Sequence, residues 1–140
     1  SQTVGEYEER MRASRLDLIL TKPETPTFIL CDGKLLWRVF DNLLNNICKY
    51  AQESTRVYLS LDVVGNEVHI VFRNISKYEL NISSEELLER FTRGDRSRNT
   101  EGSGLGLSIA KNLTELQNGS FVLSVDGDLF KVTLAFRRAD

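Results

Sequence analysis

The sequence predicts a two-layer α/β (α+β) sandwich, in which one mixed β-sheet carries several helices on one face. Two pairs of segments alternate apolar and polar residues as the strands of hairpins do, residues 57–63 with 68–72 and residues 121–125 with 130–136. The sequence Gly65-Asn66 separates the first pair and Asp126-Gly127-Asp128 the second, and both are typical of tight turns. Two further segments, about residues 34–51 and 105–117, repeat apolar residues every three to four positions, which indicates helices. Strands and helices combined in this way predict a layered fold.

Length and composition indicate one ordinary soluble domain spanning residues 1–140. The chain has 41% hydrophobic and 27% charged residues, a balance typical of globular domains large enough to bury a core. A formal net charge of −2 gives no sign of a nucleic-acid partner or of direct membrane contact. No apolar run approaches the roughly 20 residues of a transmembrane helix. Because the chain starts at Ser1, we expect an excised fragment, and Cys31 and Cys48 are interpreted as free thiols in a reducing cytoplasm.

The remaining segments complete the predicted order of elements. Residues 3–13 form a polar helix with Tyr7 and Met11 four positions apart, and residues 16–20 and 27–30 are predicted strands. A short capped helix is expected at residues 83–91. Residues 92–103 are polar and contain several arginines, so they are interpreted as a loop.

The helix at about residues 34–51 carries the first indication of a site. At about 100° per residue, a polar stripe runs beside its apolar face, while Asp41 and Asn45 point elsewhere. The stripe consists of Asn42, Asn46, Lys49 and Tyr50. A carboxamide oxygen can bind Mg²⁺ and a lysine can meet phosphate. This stretch alone is equally well read as the solvated flank of a helix.

A glycine-rich segment, EGSGLGLSIAK at residues 101–111, opens the second predicted helix. Glycines before a helix leave backbone N–H groups and the positive end of the helix dipole available to an anion. The spacing is not that of a dinucleotide-binding loop, since Leu107 stands where a glycine would be needed. It is not a Walker loop either, because no Gly-Lys-Ser/Thr follows. Taken alone, the segment also fits a flexible loop before a helix.

Three motifs in order resemble one protein family. DNLLNNICKYA at residues 41–51 resembles the N box of sensor histidine kinases, and EGSGLGLSIAK resembles their G2 box. Between them, ERFTRGD at residues 89–95 is similar to the F box. The resemblance covers the chain from about Gly33 to its end. It implies the catalytic ATP-binding domain of that family, in the wider Bergerat-fold (GHKL, HATPase) group with gyrase B and MutL.

The resemblance implies that ATP and Mg²⁺ bind between the two helices. Asn46 matches the family's Mg²⁺ ligand, with Asn42 beside it, and Lys49 and Tyr50 match residues that face phosphate and nucleotide. Residues 92–103 correspond to the ATP lid, where the predicted phosphate contacts are Arg93 and Arg98. Glycines allow close approach of the backbone to the phosphates. The nucleotide contacts expected in the glycine-rich segment are Gly102, Gly104, Leu105 and Gly106.

The sequence departs from the family at the end of the strand that follows Gly65-Asn66. The family has an aspartate there, which accepts a hydrogen bond from the adenine amino group, followed by spaced glycines. Here Asn74 takes that position and residues 75–78 contain no glycine. A carboxamide oxygen can still accept the bond, but as a neutral partner. The predicted site therefore keeps its metal and phosphate parts and alters its adenine part.

The predicted function is transfer of the γ-phosphoryl group of Mg-ATP to a histidine on a separate domain. The single histidine, His69, alternates with apolar residues on a strand and is interpreted as facing away from the core. The resemblance implies as partners ATP, the dimerisation and phosphoacceptor domain of a parent kinase, and a response regulator. The isolated chain is not expected to phosphorylate itself, and the parent is expected to be anchored in the membrane with this domain in the cytoplasm. Two alternatives remain: a degenerate nucleotide-binding module and a serine kinase of the anti-sigma type.

Overall fold

The computed structural model describes residues 2–24, 29, 32–77 and 105–139. In this part of the chain, five strands and three helices follow one another in the predicted order. The strands are β1 (Asp17–Thr21), β2 (Arg56–Val64), β3 (Glu67–Ile75), β4 (Ser120–Asp126) and β5 (Leu129–Arg137), and the helices are α1 (Gln2–Ala13), α2 (Gly33–Tyr50) and α3 (Leu105–Leu116). Of the strand predicted at residues 27–30, only Ile29 is described, and it forms an isolated antiparallel bridge with Arg138. The predictions for residues 83–91 and 92–103 lie outside the described residues. Among the described helices, none is long and apolar enough to cross a membrane.

The sheet has the order β1-β2-β3-β5-β4 and is mixed, as predicted. Only the β1–β2 pair is parallel, and the other three pairs are antiparallel. Both hairpins turn at a glycine with positive φ, 62° at Gly65 and 61° at Gly127. Such a backbone conformation costs glycine little, which explains its position in both turns.

One face of the sheet forms the core together with the helices. Alternate residues of β3 are buried, beginning with Val68, Ile70 and Phe72, while His69 lies on the opposite face with its Nε2 3.1 Å from Glu67 Oε1. The buried stripe of α2 consists of Val39, Leu43, Leu44 and Ile47. Phe40 of α2 meets Phe72 edge to face, with ring centroids 5.3 Å apart. The predicted histidine orientation and the two-layer arrangement are thus confirmed.

The residues of α3 are buried to very different degrees, and Leu113 packs against the edge of the core. Leu107, Ala110 and Thr114 are fully buried, whereas Leu116 is 72% exposed. The small Ala110 and the polar Thr114 fit because α3 packs closely, and the hydroxyl of Thr114 donates to the Ala110 carbonyl at 2.8 Å. After α3, Asn118 adopts a φ of 63° and the Gly119 N–H bonds to the Thr114 carbonyl, so the helix ends where Asn118-Gly119 predicts.

Candidate functional site

The polar stripe predicted on α2 forms one flank of the helix. Asn42, Asn46 and Tyr50 are half-buried, and Lys49 is exposed in the last turn. The Asn42 Nδ2 donates to the Arg38 carbonyl one turn earlier at 2.8 Å. This bond fixes the carboxamide and leaves its Oδ1 available as an acceptor. Two carboxamides and an ammonium therefore follow one another along a single side of the helix.

The end of this helix is fastened to the end of β3. The Gln52 N–H donates to the Ile75 carbonyl at 2.7 Å, and the Lys77 N–H donates to the Tyr50 carbonyl at 2.9 Å. An antiparallel bridge between Ala51 and Ser76 lies between these two bonds. The last turn of α2 consequently sits over the carboxyl end of β3, one residue past Asn74.

Asn74 is the most informative residue at this end of the sheet. Its side chain lies on the core face of β3, and the residue is only 4% exposed. Its Oδ1 is fully buried and has no hydrogen-bond donor among the described residues. A buried acceptor without a partner costs about 1–3 kcal/mol, and such groups are rare in folded proteins. The position thus offers a free acceptor to a ligand that brings its own N–H donor.

The start of α3 approaches the same region because α2 and α3 run in opposite directions. The Asp32 N–H, at the start of α2, donates to the Gln117 Oε1 at the end of α3 over 2.7 Å. The helices pack against each other, and α3 has 12 residues. At about 1.5 Å per residue, the start of α3 lies about 18 Å along α2 from Asp32, near residue 44. The backbone N–H groups at the start of α3 thereby come near the carboxamide stripe.

Several predicted site residues fall outside the part of the chain that the structure describes. Arg93, Arg98, Gly102 and Gly104 belong to this group, as does the predicted lid at residues 92–103. Leu105 and Gly106 begin α3, and only their backbone is described. The described residues therefore place the last turn of α2 beside the end of β3 that carries Asn74, and the roles predicted for all the site residues stay predictions.

Asp41 and Asn45 point away from the polar stripe of α2, as the helical spacing predicts, and no motif assigns them a function. In the structure they face α1: the Tyr7 hydroxyl donates to Asp41 Oδ1, and Arg10 Nη2 donates to Asn45 Oδ1 at 3.0 Å. The spacing of these residues along α1 and α2 could have indicated this contact. Two polar residues four apart on α2 and two hydrogen-bonding residues three apart on α1 each occupy one helix face.

Cavities formed by described residues lie elsewhere in the molecule. One, of about 540 Å³, lies at the end of the sheet opposite to Asn74, between the β2–β3 turn and the end of α3, and includes Asn66 and Gly119. Another of similar volume lies beside β1 and β2 and includes Arg15 and Tyr58. Neither of these two cavities contains a residue of the predicted nucleotide site.

Comparison with known proteins assigns the family. The model of the histidine kinase-, DNA gyrase B- and HSP90-like ATPases matches residues 31–138, and the chain belongs to this family. Within it, the chain corresponds to the catalytic ATP-binding domain of sensor histidine kinases, which the resemblance in the N, F and G2 boxes implied.

Two similar curated relatives are sensor proteins of Escherichia coli. The probable sensor protein PcoS is 36% identical over 107 residues, which cover 74% of this chain and 23% of PcoS. The sensor histidine kinase HprS is 33% identical over 121 residues, covering 85% of this chain and 26% of HprS. The chain thus spans about a quarter of the length of these relatives.

Solved structures share the fold at low sequence identity. The catalytic domain of the histidine kinase ThkA superimposes with a TM-score of 0.81 at 19% identity, covering 98% of this chain and 88% of that one. ShkA, solved at full length in complex with AMPPNP, gives a TM-score of 0.78 at 18% identity, covering 99% of this chain and 29% of that one. The mixed sheet with helices on one face is therefore the architecture of histidine kinase catalytic domains.

Proposed function

We propose that this chain binds Mg-ATP between α2 and α3 and transfers the γ-phosphoryl group to a histidine on a separate dimerisation domain of its parent protein. The observation that carries the proposal is the buried, unpaired Oδ1 of Asn74 beneath the end of the carboxamide-bearing helix. An adenine amino group has the donor that this acceptor lacks. The family assignment and the bound AMPPNP of ShkA support the same nucleotide.

The proposed metal ligand is Asn46, with Asn42 beside it. Mg²⁺ in phosphoryl-transfer sites is held by one or two side-chain oxygens together with substrate phosphates, so a single carboxamide oxygen from the protein suffices. Bound there, the ion would neutralise negative charge on the phosphates of the nucleotide. Lys49 adds a positive charge at the end of the stripe, and the first turn of α3 offers backbone N–H groups to phosphate. We also assign phosphate contacts to Arg93, Arg98 and the glycines at 102, 104 and 106.

These residues perform transfer by positioning and by charge, since phosphoryl transfer asks for little covalent help from the protein. The acceptor histidine is assigned to the parent's dimerisation domain, and a response regulator is the proposed final acceptor. We further propose that the parent is a sensor kinase anchored in the membrane, in keeping with the sensor proteins among its relatives.

Calorimetric titration of Asn46→Ala tests the metal and nucleotide site. A methyl group cannot replace an oxygen on the metal, so most of the Mg²⁺-dependent gain in affinity for a non-hydrolysable ATP analogue should disappear while the fold is kept. Asn112→Ala, which removes an exposed carboxamide from α3, is the matched control and should bind like the unchanged protein. Unchanged Mg²⁺-dependent binding in Asn46→Ala would show that Asn46 is not the ligand.

Phosphoryl transfer has its own test. The chain mixed with the parent's helical domain and labelled ATP should give phosphate that is labile in acid and stable in base on the helical domain. A nucleotide-binding module without kinase activity would bind the ATP analogue and give no label. A serine kinase would give an acid-stable phosphate, so the experiment separates the three functions.

A further inference from the structure

The helix α1 lies along α2 and contacts it through two polar pairs. Tyr7 and Arg10 stand three residues apart on α1, and their partners Asp41 and Asn45 stand four apart on α2. At these spacings each helix presents one face to the other. Because the earlier residue of α1 pairs with the earlier residue of α2, the two helices run in the same direction. The guanidinium of Arg10 also lies over the Tyr7 ring, with 4.7 Å from Cζ to the ring centroid. These four residues form what we call the α1 clasp.

The α1 clasp lies next to buried residues of the core and not only on the protein surface. Tyr7 is 4% exposed and Met11, one turn later, is completely buried. Hydrogen bonds have directional preferences that apolar contacts lack. The buried stripe that holds α2 on the sheet is apolar, so the Tyr7–Asp41 and Arg10–Asn45 bonds are directional contacts that resist rotation of α2 about its axis.

Each α2 residue of the clasp directly precedes a residue of the proposed site. Asp41 precedes Asn42, and Asn45 precedes Asn46, so the two stripes are about 100° apart around the same helix. A helix with its side chains has a radius of about 5–6 Å, so a rotation of about 10° moves a side-chain atom by about 1 Å. Mg²⁺ requires near-ideal octahedral geometry at about 2.0–2.1 Å. Errors of about 1 Å at a reacting centre cost up to about a hundredfold in rate.

We propose that the α1 clasp sets the rotation of α2 and thereby places the Asn42 and Asn46 carboxamides for the Mg-nucleotide complex. Tyr7, Arg10, Asp41 and Asn45 are then positioning residues, and the inference rests on the metal site of the proposed function. They act on the metal-dependent part of binding. Adenine recognition at Asn74 depends on β3 and is not reached by the clasp.

The test compares nucleotide binding with and without metal in the variant Tyr7→Phe/Arg10→Met. These substitutions remove both donors and keep the aromatic ring and most of the aliphatic chain. The Kd for Mg-ADP should rise about three- to tenfold, while the Kd for ADP in EDTA should change less than twofold. In an Asn46→Ala background, the same pair of substitutions should add nothing, since the ligand that the clasp positions is already gone.

Two controls on α1 separate positioning from general loosening. Arg12→Met alters an exposed arginine of the same helix, and Met11→Leu repacks its buried residue without touching the clasp. Both should keep the Kd for Mg-ADP within twofold even where urea unfolding shows a stability loss equal to that of the clasp variant. Equal weakening by Met11→Leu at matched stability would overturn the inference.

The remaining outcomes are equally decisive. Weakening of ADP binding to the same degree in EDTA, additive loss in the Asn46→Ala background, or unchanged binding in the clasp variant would each overturn the role of the clasp. If Asn46→Ala weakens Mg-ADP binding and the clasp variant does not, the proposed function stands and only the clasp fails. If Asn46→Ala has no effect, the metal site itself is wrong, and the clasp inference falls with it.

Discussion

The side chain of Gln117 joins the end of α3 to the start of α2 through the backbone of Asp32. Its Oε1 accepts from the Asp32 N–H at 2.7 Å, and its Nε2 donates to the Leu113 carbonyl at 2.9 Å. Asp32 in turn caps α2, because its Oδ1 accepts from the backbone N–H groups of Lys34 and Leu35. One carboxamide thus fixes the register of two antiparallel helices. The opposite ends of these helices form the proposed nucleotide site.

Gln117→Met should destabilise the fold by about 0.5–1.5 kcal/mol, since it removes both hydrogen bonds of the carboxamide and keeps a similar volume. Gln117→Glu keeps an acceptor for the Asp32 N–H and should recover part of the loss. Urea unfolding of the two variants measures this difference. Equal stability of Gln117→Met and the unchanged protein would show that the bond does not hold the helices in register.

Among the glycines that the structure describes, Gly119 is the one where an added methyl group would meet the closest neighbouring atoms and should therefore lower the stability of the fold. A Cβ there would stand 2.6 Å from Phe136 Cε1 and 3.1 Å from the Ala135 carbonyl oxygen. Gly119→Ala should therefore cost about 1–3 kcal/mol, as overpacking of a core does. Gly33→Ala is the control, since a Cβ at that first residue of α2 meets nothing within 4 Å. Thermal unfolding should place Gly119→Ala well below Gly33→Ala, and similar midpoints would contradict the close packing.

Alkaline pH should weaken the fold through Tyr7. Burial, followed by the hydrogen bond to Asp41, raises the pKa of its hydroxyl from 10.0 to about 12. Between these values the unfolded chain loses the proton before the folded one does. The stabilisation is therefore complete below about pH 10 and declines as pH rises towards about 12. Tyr7→Phe lacks this titration, so its stability deficit in urea unfolding should be larger at about pH 8 than at about pH 11. A constant deficit would mean that the hydroxyl titrates normally.

The architecture could be predicted from the sequence because its signals are local. Alternation in β2 to β5 and the glycines at 65 and 127 determine two hairpins, and the apolar stripe of α2 determines which face is buried. The burial within α3 could not be predicted in this way. Apolar spacing alone does not show that Ala110 and the self-bonded Thr114 are fully buried while Leu116 is exposed.

The candidate site was predictable only as a set of residues. Helical spacing predicts Asn42 and Asn46, and the resemblance to the family adds Asn74, but nothing local shows that α2 ends over β3 or that α3 returns to the same place. Those relations depend on the backbone hydrogen bond from Lys77 to Tyr50 and on the hydrogen bond from Asp32 to Gln117. Both join residues that are far apart in the chain. The pairing of Tyr7 with Asp41 is of the same kind, since it links helices separated by β1.

Replacing Asn74 by leucine should change the stability of the ligand-free fold and the affinity for ATP in opposite directions. Asn74→Leu removes a buried acceptor that has no partner among the described residues, so the ligand-free fold should become equally stable or more stable in urea unfolding. The same change removes the hydrogen bond proposed for the adenine amino group. ATP affinity should therefore fall, together with the preference for ATP over GTP. A residue that only supports the strand would lose stability and leave the nucleotide preference unchanged.

Asn74→Asp tests the same position by replacing the neutral acceptor with a charged one. Hydrogen bonds to charged groups contribute roughly 1.5–3 kcal/mol against about 1 kcal/mol for neutral ones, so adenine nucleotides should bind a few-fold to about tenfold more tightly. Because the position is only 4% exposed, desolvation of the carboxylate lowers this gain and should also destabilise the ligand-free protein. Competition binding with ATP and GTP on both variants provides the measurement. If neither substitution alters the ratio of the two affinities, Asn74 does not contact the base, and its buried oxygen needs another explanation.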